Sequence, residues 1–258
     1  MSGVQPVAEI GVFGGSGFYE FLDDALEVPV RTPYGLPSAT VVVGTVGDRR
    51  VAFLPRHGTR HELPPHRVGF QANVWALHSL GVTQVIGPCA VGSLRSELAP
   101  GDLVVPDQLV DRTWGRPDTF WDGGPVQHLT FADPYTDSIR QVLLDAARAE
   151  HEPGRVHDGG TVVVVQGPRF STRAESRWFQ TMGWDVVNMT QHPEVVLCRE
   201  LGMGYAGLCL VTDYDAGVEG EGGVEAVTMD EVFRVLAANV ELTRRVLHRA
   251  IPLLPSAD

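Results

Sequence analysis

The stretch Tyr205-Ala206-Gly207-Leu208-Cys209-Leu210-Val211-Thr212-Asp213-Tyr214-Asp215 reads as a strand buried on both faces that ends in acid. Its apolar residues run on without polar alternation, as they do in a strand covered by helices on either side. The two carboxylates at its end stand two residues apart, so strand alternation puts both side chains on one face. Upstream, Asp185 to Met189 forms another apolar run that closes on Asn188-Met189-Thr190, and Pro193 to Leu201 between the two reads as a helix.

The same alternation extends across the chain. Further runs rich in Val and Ile, bounded by Gly, Pro or Asp, lie at Ile10 to Phe13, Thr40 to Val46, Arg50 to Leu54, Gln84 to Ile86, Leu103 to Pro106 and Thr161 to Val165. Helical spacing appears at Arg67 to Leu80, Tyr135 to Ala149, Ser171 to Met182 and Thr228 to Ala250. The hairpin-like stretch from Leu26 to Leu54 reads as antiparallel. The pattern predicts an α/β fold: a mixed β-sheet flanked by helices, in one domain over residues 1–258 with its core at about 8–254. Ligands of open α/β sheets sit at the carboxyl ends of strands. Gly14-Gly15-Ser16-Gly17, Arg56-His57-Gly58, Cys89 to Ser93, Asn188 to Thr190 and Asp213 to Asp215 are each expected just after a strand.

Composition narrows the partners. With 32 acids against 20 bases the net charge is −12, and no basic run offsets it, which argues against nucleic acid. The three cysteines, Cys89, Cys198 and Cys209, show no metal or disulfide spacing. Neither a signal peptide nor a run of about 20 apolar residues is visible, so a cytoplasmic protein without a membrane partner is expected.

Several constellations carry chemistry. The glycine turn at Gly14 lets backbone approach an anion, though it is neither a P-loop nor a dinucleotide fingerprint. Arg56 offers a fork for phosphate, with His57 beside it; Arg-His-Gly also resembles the motif of histidine phosphatases, the alternative enzyme class. His61-Glu62-Leu63-Pro64-Pro65-His66 is one residue too long for HExxH and carries two prolines, so no metal site is expected. Spacing alone makes Phe170 a core residue and Ser171 or Thr172 a helix cap. Glu194 either binds a sugar hydroxyl or favours its helix N-terminus. Val218 to Val224 reads as a glycine-rich loop, either a lid or a solvated connector. Two acids on one face raise each other's pKa, so one is expected to hold a proton. A ligand with donors and one basic nitrogen would satisfy such a pair, and adenine is one.

Together these motifs resemble the purine nucleoside phosphorylase family, in its 5′-methylthioadenosine phosphorylase branch. The pieces that match are the glycine turn, Arg56-His57-Gly58, Phe70-Gln71-Ala72-Asn73, Gly92-Ser93-Leu94-Arg95, Gly167-Pro168-Arg169-Phe170-Ser171, Asn188-Met189-Thr190 and Thr212-Asp213-Tyr214-Asp215. The resemblance runs from about Ile10 to Pro252. It implies the family's mixed-sheet fold and a homotrimer with sites near subunit contacts. It assigns Ser16, Arg56, His57, Cys89, Ala90 and Thr190 to phosphate, Met189 to ribose and Phe170 to the wall of the base pocket. Asp213 and Asp215 become the adenine readers and catalytic acids, His128 a neighbour of the 5′ substituent, and Ser171 and Met229 specificity residues. Ser16 replaces a threonine common in the family, and Cys89 stands where its eukaryotic members have threonine.

The implied reaction is phosphorolysis of an N-glycosidic bond, with nucleoside and inorganic phosphate as substrates and no cofactor. Three alternatives stay open: a broader adenosine or 6-oxopurine nucleoside phosphorylase, a histidine-type phosphatase, and a non-catalytic nucleoside-binding protein.

Overall fold

The computed structural model describes residues 7–15, 18, 21–22, 25–218 and 228–256. Its strands are β1 (Ile10–Gly14), β2 (Leu26–Val28), β3 (Val41–Val46), β4 (Arg49–Pro55), β5 (Gln84–Ser93), β6 (Leu103–Val105), β7 (Gln108–Arg112), β8 (Val156–Asp158), β9 (Thr161–Val165), β10 (Val186–Asn188) and β11 (Gly204–Tyr214). Its helices are α1 (Phe70–Ser79), α2 (Asp137–Glu150), α3 (Arg173–Thr181), α4 (Gln191–Glu200) and α5 (Met229–Ala250).

All the strands join one mixed sheet, as the sequence pattern predicts. β4, β1, β5 and β11 are successive parallel neighbours, and β2 and β3 add the expected antiparallel hairpin beside β4. Alternation along the central strands feeds two cores. Val51 and Phe53 join Ile139 and Leu143 of α2 and Val246 and Leu247 of α5 on one face. Ala52 and Leu54 join Val74 and Leu77 of α1 and Val195 and Leu197 of α4 on the other. Gly11 lets α1 sit against the sheet, because a Cβ there would lie 2.8 Å from Leu77 Cδ1.

Two features depart from expectation. Cys89 to Ser93 do not follow a strand; they are the second half of β5, which runs on past its parallel neighbour β1. There β5 takes β10 as an antiparallel neighbour, pairing Val187 with Gly92. The end of β10 therefore meets the middle of β5. The unanticipated β7 and β8 are short, polar and half-exposed, so they lack the apolar runs that mark the central strands.

Candidate active site

A cavity of about 380 Å³ lies where the ends of β4, β10 and β11 meet the second half of β5. That volume suits a small-molecule ligand. Ser16 and the segment 219–224 lie outside the described residues.

One end is built around a buried cation. Arg56, directly after β4, is 1% exposed and grips Glu194 at two points, Nε to Oε1 at 2.6 Å and Nη2 to Oε2 at 3.1 Å. Its Nη1 donates to the Pro88 carbonyl at 2.8 Å, and the guanidinium keeps further N–H donors beyond these three bonds. Tyr205 Oη donates to Glu194 at 3.0 Å. Burial opposes the Arg56 cation, but the Glu194 carboxylate outweighs it and holds the guanidinium above its ordinary value. Glu194 is thus neither a sugar ligand nor merely a favourable residue at a helix N-terminus: it is the buried counter-ion of Arg56. Gly15 makes room for this arrangement, since a Cβ there would lie 3.0 Å from Arg56 Nη1.

His57 lines the same end. Its Nδ1 donates to the Leu63 carbonyl at 2.8 Å, which leaves Nε2 as the lone-pair nitrogen of a neutral ring. Burial, reinforced by the Arg56 charge, lowers its pKa to about 4. Thr190 precedes α4 and is 4% exposed. Asn188 Oδ1 accepts from the Thr190 and Gln191 amides, each at 2.7 Å, and Asn188 Nδ2 donates to the Ala90 carbonyl at 3.1 Å. Asn188 thereby fixes Thr190 against β5 at Ala90, beside Cys89, and both β5 residues line the cavity.

The other end holds the acids. The pairing of β11 with β5 slips between Val211 and Asp213, so Thr212 is an extra residue opposite β5. Such bulges re-aim side chains. Thr212, Asp213 and Asp215 all line the cavity, and Thr212 Oγ1 donates to Asp213 Oδ1 at 2.6 Å. A Cβ on Gly92 would lie 3.1 Å from Asp213 Oδ2, so the glycine leaves space for the pair. Asp215 is 4% exposed, and burial raises its carboxyl above the usual range. Among the described residues, its Oδ2 and the Ser171 hydroxyl are buried atoms without a hydrogen-bond partner of good geometry.

Phe170, Ser171 and Met189 form the wall between the ends. Thr172, not Ser171, caps α3, in a reciprocal box with Glu175. That frees Ser171 to face the cavity, and Phe170 stands in the wall rather than inside the core. The composition of this wall hides a residue that spacing did not reveal, Arg116. Its Nη1 donates to the carbonyls of Met189 at 3.0 Å and His192 at 2.6 Å, and its Nη2 to that of Gln166 at 2.9 Å. Burial draws it down to about 10, so it remains a cation at neutral pH while clamping Met189 to the Gly167-Pro168 turn.

His61, Pro64, Pro65, Met229 and Val232 close the remaining side. His61 sits in the left-handed region at φ 57° and stacks 4.6 Å from His57. Sequence reading weighed it only as a metal ligand. Among the described residues no cluster of His, Cys, Asp and Glu fits a metal. His128 is exposed on the loop 113–136 and does not line the cavity.

The family pattern of the Phosphorylase superfamily matches residues 9–252. The chain belongs to this superfamily. A purine nucleoside phosphorylase from Streptomyces coelicolor is 57% identical to this phosphorylase, over 97% of this chain and 90% of the relative. An S-methyl-5′-thioadenosine phosphorylase from Mycolicibacterium smegmatis is also 57% identical, over 94% and 90%. Among solved structures, methylthioadenosine phosphorylase from Schistosoma mansoni in complex with adenine superposes with a TM-score of 0.90 at 40% identity, covering 97% of this chain and 93% of that one.

Proposed function

We propose that this phosphorylase cleaves the N-glycosidic bond of S-methyl-5′-thioadenosine with phosphate, giving adenine and 5-methylthioribose 1-phosphate. The observation that carries the reading is one cavity with the Arg56–His57–Thr190 cluster at one end and the Asp213/Asp215 pair at the other. Relatives named as methylthioadenosine phosphorylases support the same substrate.

In this reading phosphate rests on Arg56, His57, Thr190, Cys89 and Ala90, with Ser16 completing the set. Neutral His57 accepts a proton-bearing phosphate oxygen at Nε2. Met189 lies against ribose and Phe170 against the purine. Phosphate attacks C1′ as the bond to the purine lengthens, and its negative charge stabilises the oxocarbenium-like centre. The leaving purine gains negative charge, which a protonated acid at N7, assigned to Asp213, relieves. Asp215 accepts from the 6-amino group. A 6-oxo group would set acceptor against acceptor and cost about 1–3 kcal/mol. That argues against an oxopurine preference, although one 57% identical relative carries the broader purine name. A histidine-phosphatase reading loses ground because Arg56 and His57 follow β4 rather than the first strand.

We also infer a homotrimeric, cytoplasmic enzyme. Trp114 and Val126, 73% and 84% exposed on the loop that carries His128, offer apolar surface for a subunit contact. His128 would then reach a 5′ end across that contact. Three free buried thiols fit a reducing compartment.

The test is a panel of methylthioadenosine, adenosine and inosine, each with and without phosphate. Adenine release that requires phosphate, fastest with methylthioadenosine, is expected. Inosine as the best substrate, or release without phosphate, overturns the reading.

A further inference from the structure

We propose that Cys89 and Cys209 form a reversible disulfide at the phosphate end of the cavity, driven by hydrogen peroxide. The two residues face each other directly across the parallel β5–β11 pair. Their sulfurs are 3.7 Å apart. Neighbouring strands lie about 4.8 Å apart, inside the Cα separation of about 4.4–6.8 Å that a disulfide spans. The bridge therefore needs side-chain rotation with little backbone movement.

The surroundings make the pair asymmetric. Gln191 Nε2 donates to both sulfurs, at 3.2 Å to Cys89 and 3.0 Å to Cys209. Its Oε1 accepts from Tyr135 Oη, which fixes the amide with its donors toward the thiols. Cys89 lines the cavity, whereas Cys209 is fully buried behind it. A solute in the cavity reaches Cys89 first. The hydrogen bond with Cys209 lowers the Cys89 thiol, with help from the Arg56 charge, while burial pushes Cys209 well up. Cys89 is accordingly the attacking sulfur and Cys209 the resolving one. Cys198, the other cysteine, is buried in the core on the α4 face and does not line the cavity.

The chemistry closes without a further reagent. The Cys89 sulfur attacks one peroxide oxygen, the O–O bond breaks, and the departing hydroxide takes the thiol proton as water. The Cys209 sulfur then attacks the resulting sulfenic sulfur, the S–O bond breaks, and its thiol proton leaves with that hydroxide as a second water. One peroxide is reduced to two waters and two thiols are oxidised to one disulfide. The sulfurs must close from 3.7 Å to about 2.05 Å. That movement withdraws Cys89 from the cavity wall and breaks the Gln191 contacts next to Thr190. Loss of phosphate affinity follows, and this consequence rests on the phosphate assignment made above.

The experiment treats reduced full-length protein with hydrogen peroxide, blocks free thiols and maps tryptic peptides without reduction. Arg95, Arg177, Arg199 and Arg234 separate the three cysteines into different peptides. The expected result is a joined Cys89–Cys209 peptide, a rise of about tenfold or more in the phosphate KM, and recovery of both on adding dithiothreitol. In Cys209→Ala the same peroxide dose should drive Cys89 to sulfinic acid, with a loss that dithiothreitol does not reverse. Absence of the joined peptide from wild type, or an equal dithiothreitol-reversible loss in Cys209→Ala, overturns the proposal. A joined peptide with unchanged phosphate KM keeps the disulfide and overturns the phosphate assignment of Cys89.

Discussion

The end of the cavity around Arg56 and the side around His61 are made by different means. Arg56, Thr190 and Glu194 sit at strand ends and a helix start, nearly sealed from solvent and fixed in place by hydrogen bonds within the protein. His61 lies on a loop in a left-handed conformation, and Met229, 44% exposed, opens the last helix. The first region is preorganised charge, of the kind that stabilises developing charge without reorganising. The second is an apolar wall, which discriminates by shape and is worth only about 1–3 kcal/mol per group. Under the proposed function, reaction type falls to the rigid end and preference at the ribose 5′ position to the softer one.

The sharpest way to break this contrast is Glu194→Ala. It leaves the Arg56 cation buried and unpaired, a change that costs about 3–5 kcal/mol. Chemical unfolding should show that loss, together with a raised phosphate KM. A loss below about 1 kcal/mol would mean that Arg56 finds another partner, so that the rigid end is not held by this pair.

Asp213→Asn comes next. Removing one group that stabilises a developing charge typically lowers turnover by about 10²–10³. Adenine-nucleoside kcat/KM should fall by that order, because an amide facing N7 cannot hand over a proton as the bond to the purine breaks. Unchanged kinetics would take Asp213 out of the reaction.

That these acids stand at a cavity was legible in the sequence, because two carboxylates closing an apolar strand are costly to bury without a partner. Their aim was less so. Simple alternation accounts for Asp213 and Asp215 but not for Thr212, which the bulge also turns into the cavity. The extension of β5 through Ser93 was hidden because Gly87, Pro88, Gly92 and Ser93 read as the punctuation that ends a strand. Gly87 is there to admit Tyr205, whose Oη would lie 2.0 Å from a Cβ. Arg116 was invisible for another reason: its partners are backbone carbonyls distant in the chain, and no spacing rule encodes them. The left-handed turn at His61 falls on a residue type that adopts it more readily than most, yet a lone histidine in a loop does not by itself mark one.

The pH dependence of folding tests the rigid end by a separate route. In the fold His57 titrates at about 4, below its ordinary 6.5. Between these values the unfolded chain binds more protons, so stability rises with pH. The His57 contribution is fully present above about pH 6.5 and is lost as pH falls toward 4. Its full size is about 3 kcal/mol, at about 1.36 kcal/mol per pH unit. Urea unfolding from pH 7 to 4.5 should show this slope in wild type and a flatter one in His57→Asn. Matching slopes would mean that burial of this ring does not set the acid sensitivity.

Met229→Ser addresses the softer side and should have the smallest effect. Met229 lines the cavity beside Val232 while remaining partly open to solvent. A thioether there gives a 5′-methylthio group an apolar, polarisable neighbour, and a hydroxyl in its place favours a 5′-hydroxyl. Because the side chain is only partly buried, the change is worth about 1 kcal/mol or less, near the bottom of the range for one apolar contact. The ratio of kcat/KM for methylthioadenosine over adenosine should therefore fall by about threefold to fivefold. Phosphate KM should stay constant, because Arg56, His57 and Thr190 hold their positions through bonds that do not involve the last helix. A shifted phosphate KM with an unchanged substrate ratio would reverse the division, tying the start of α5 to the anion and leaving 5′ selectivity to His61 and the subunit contact.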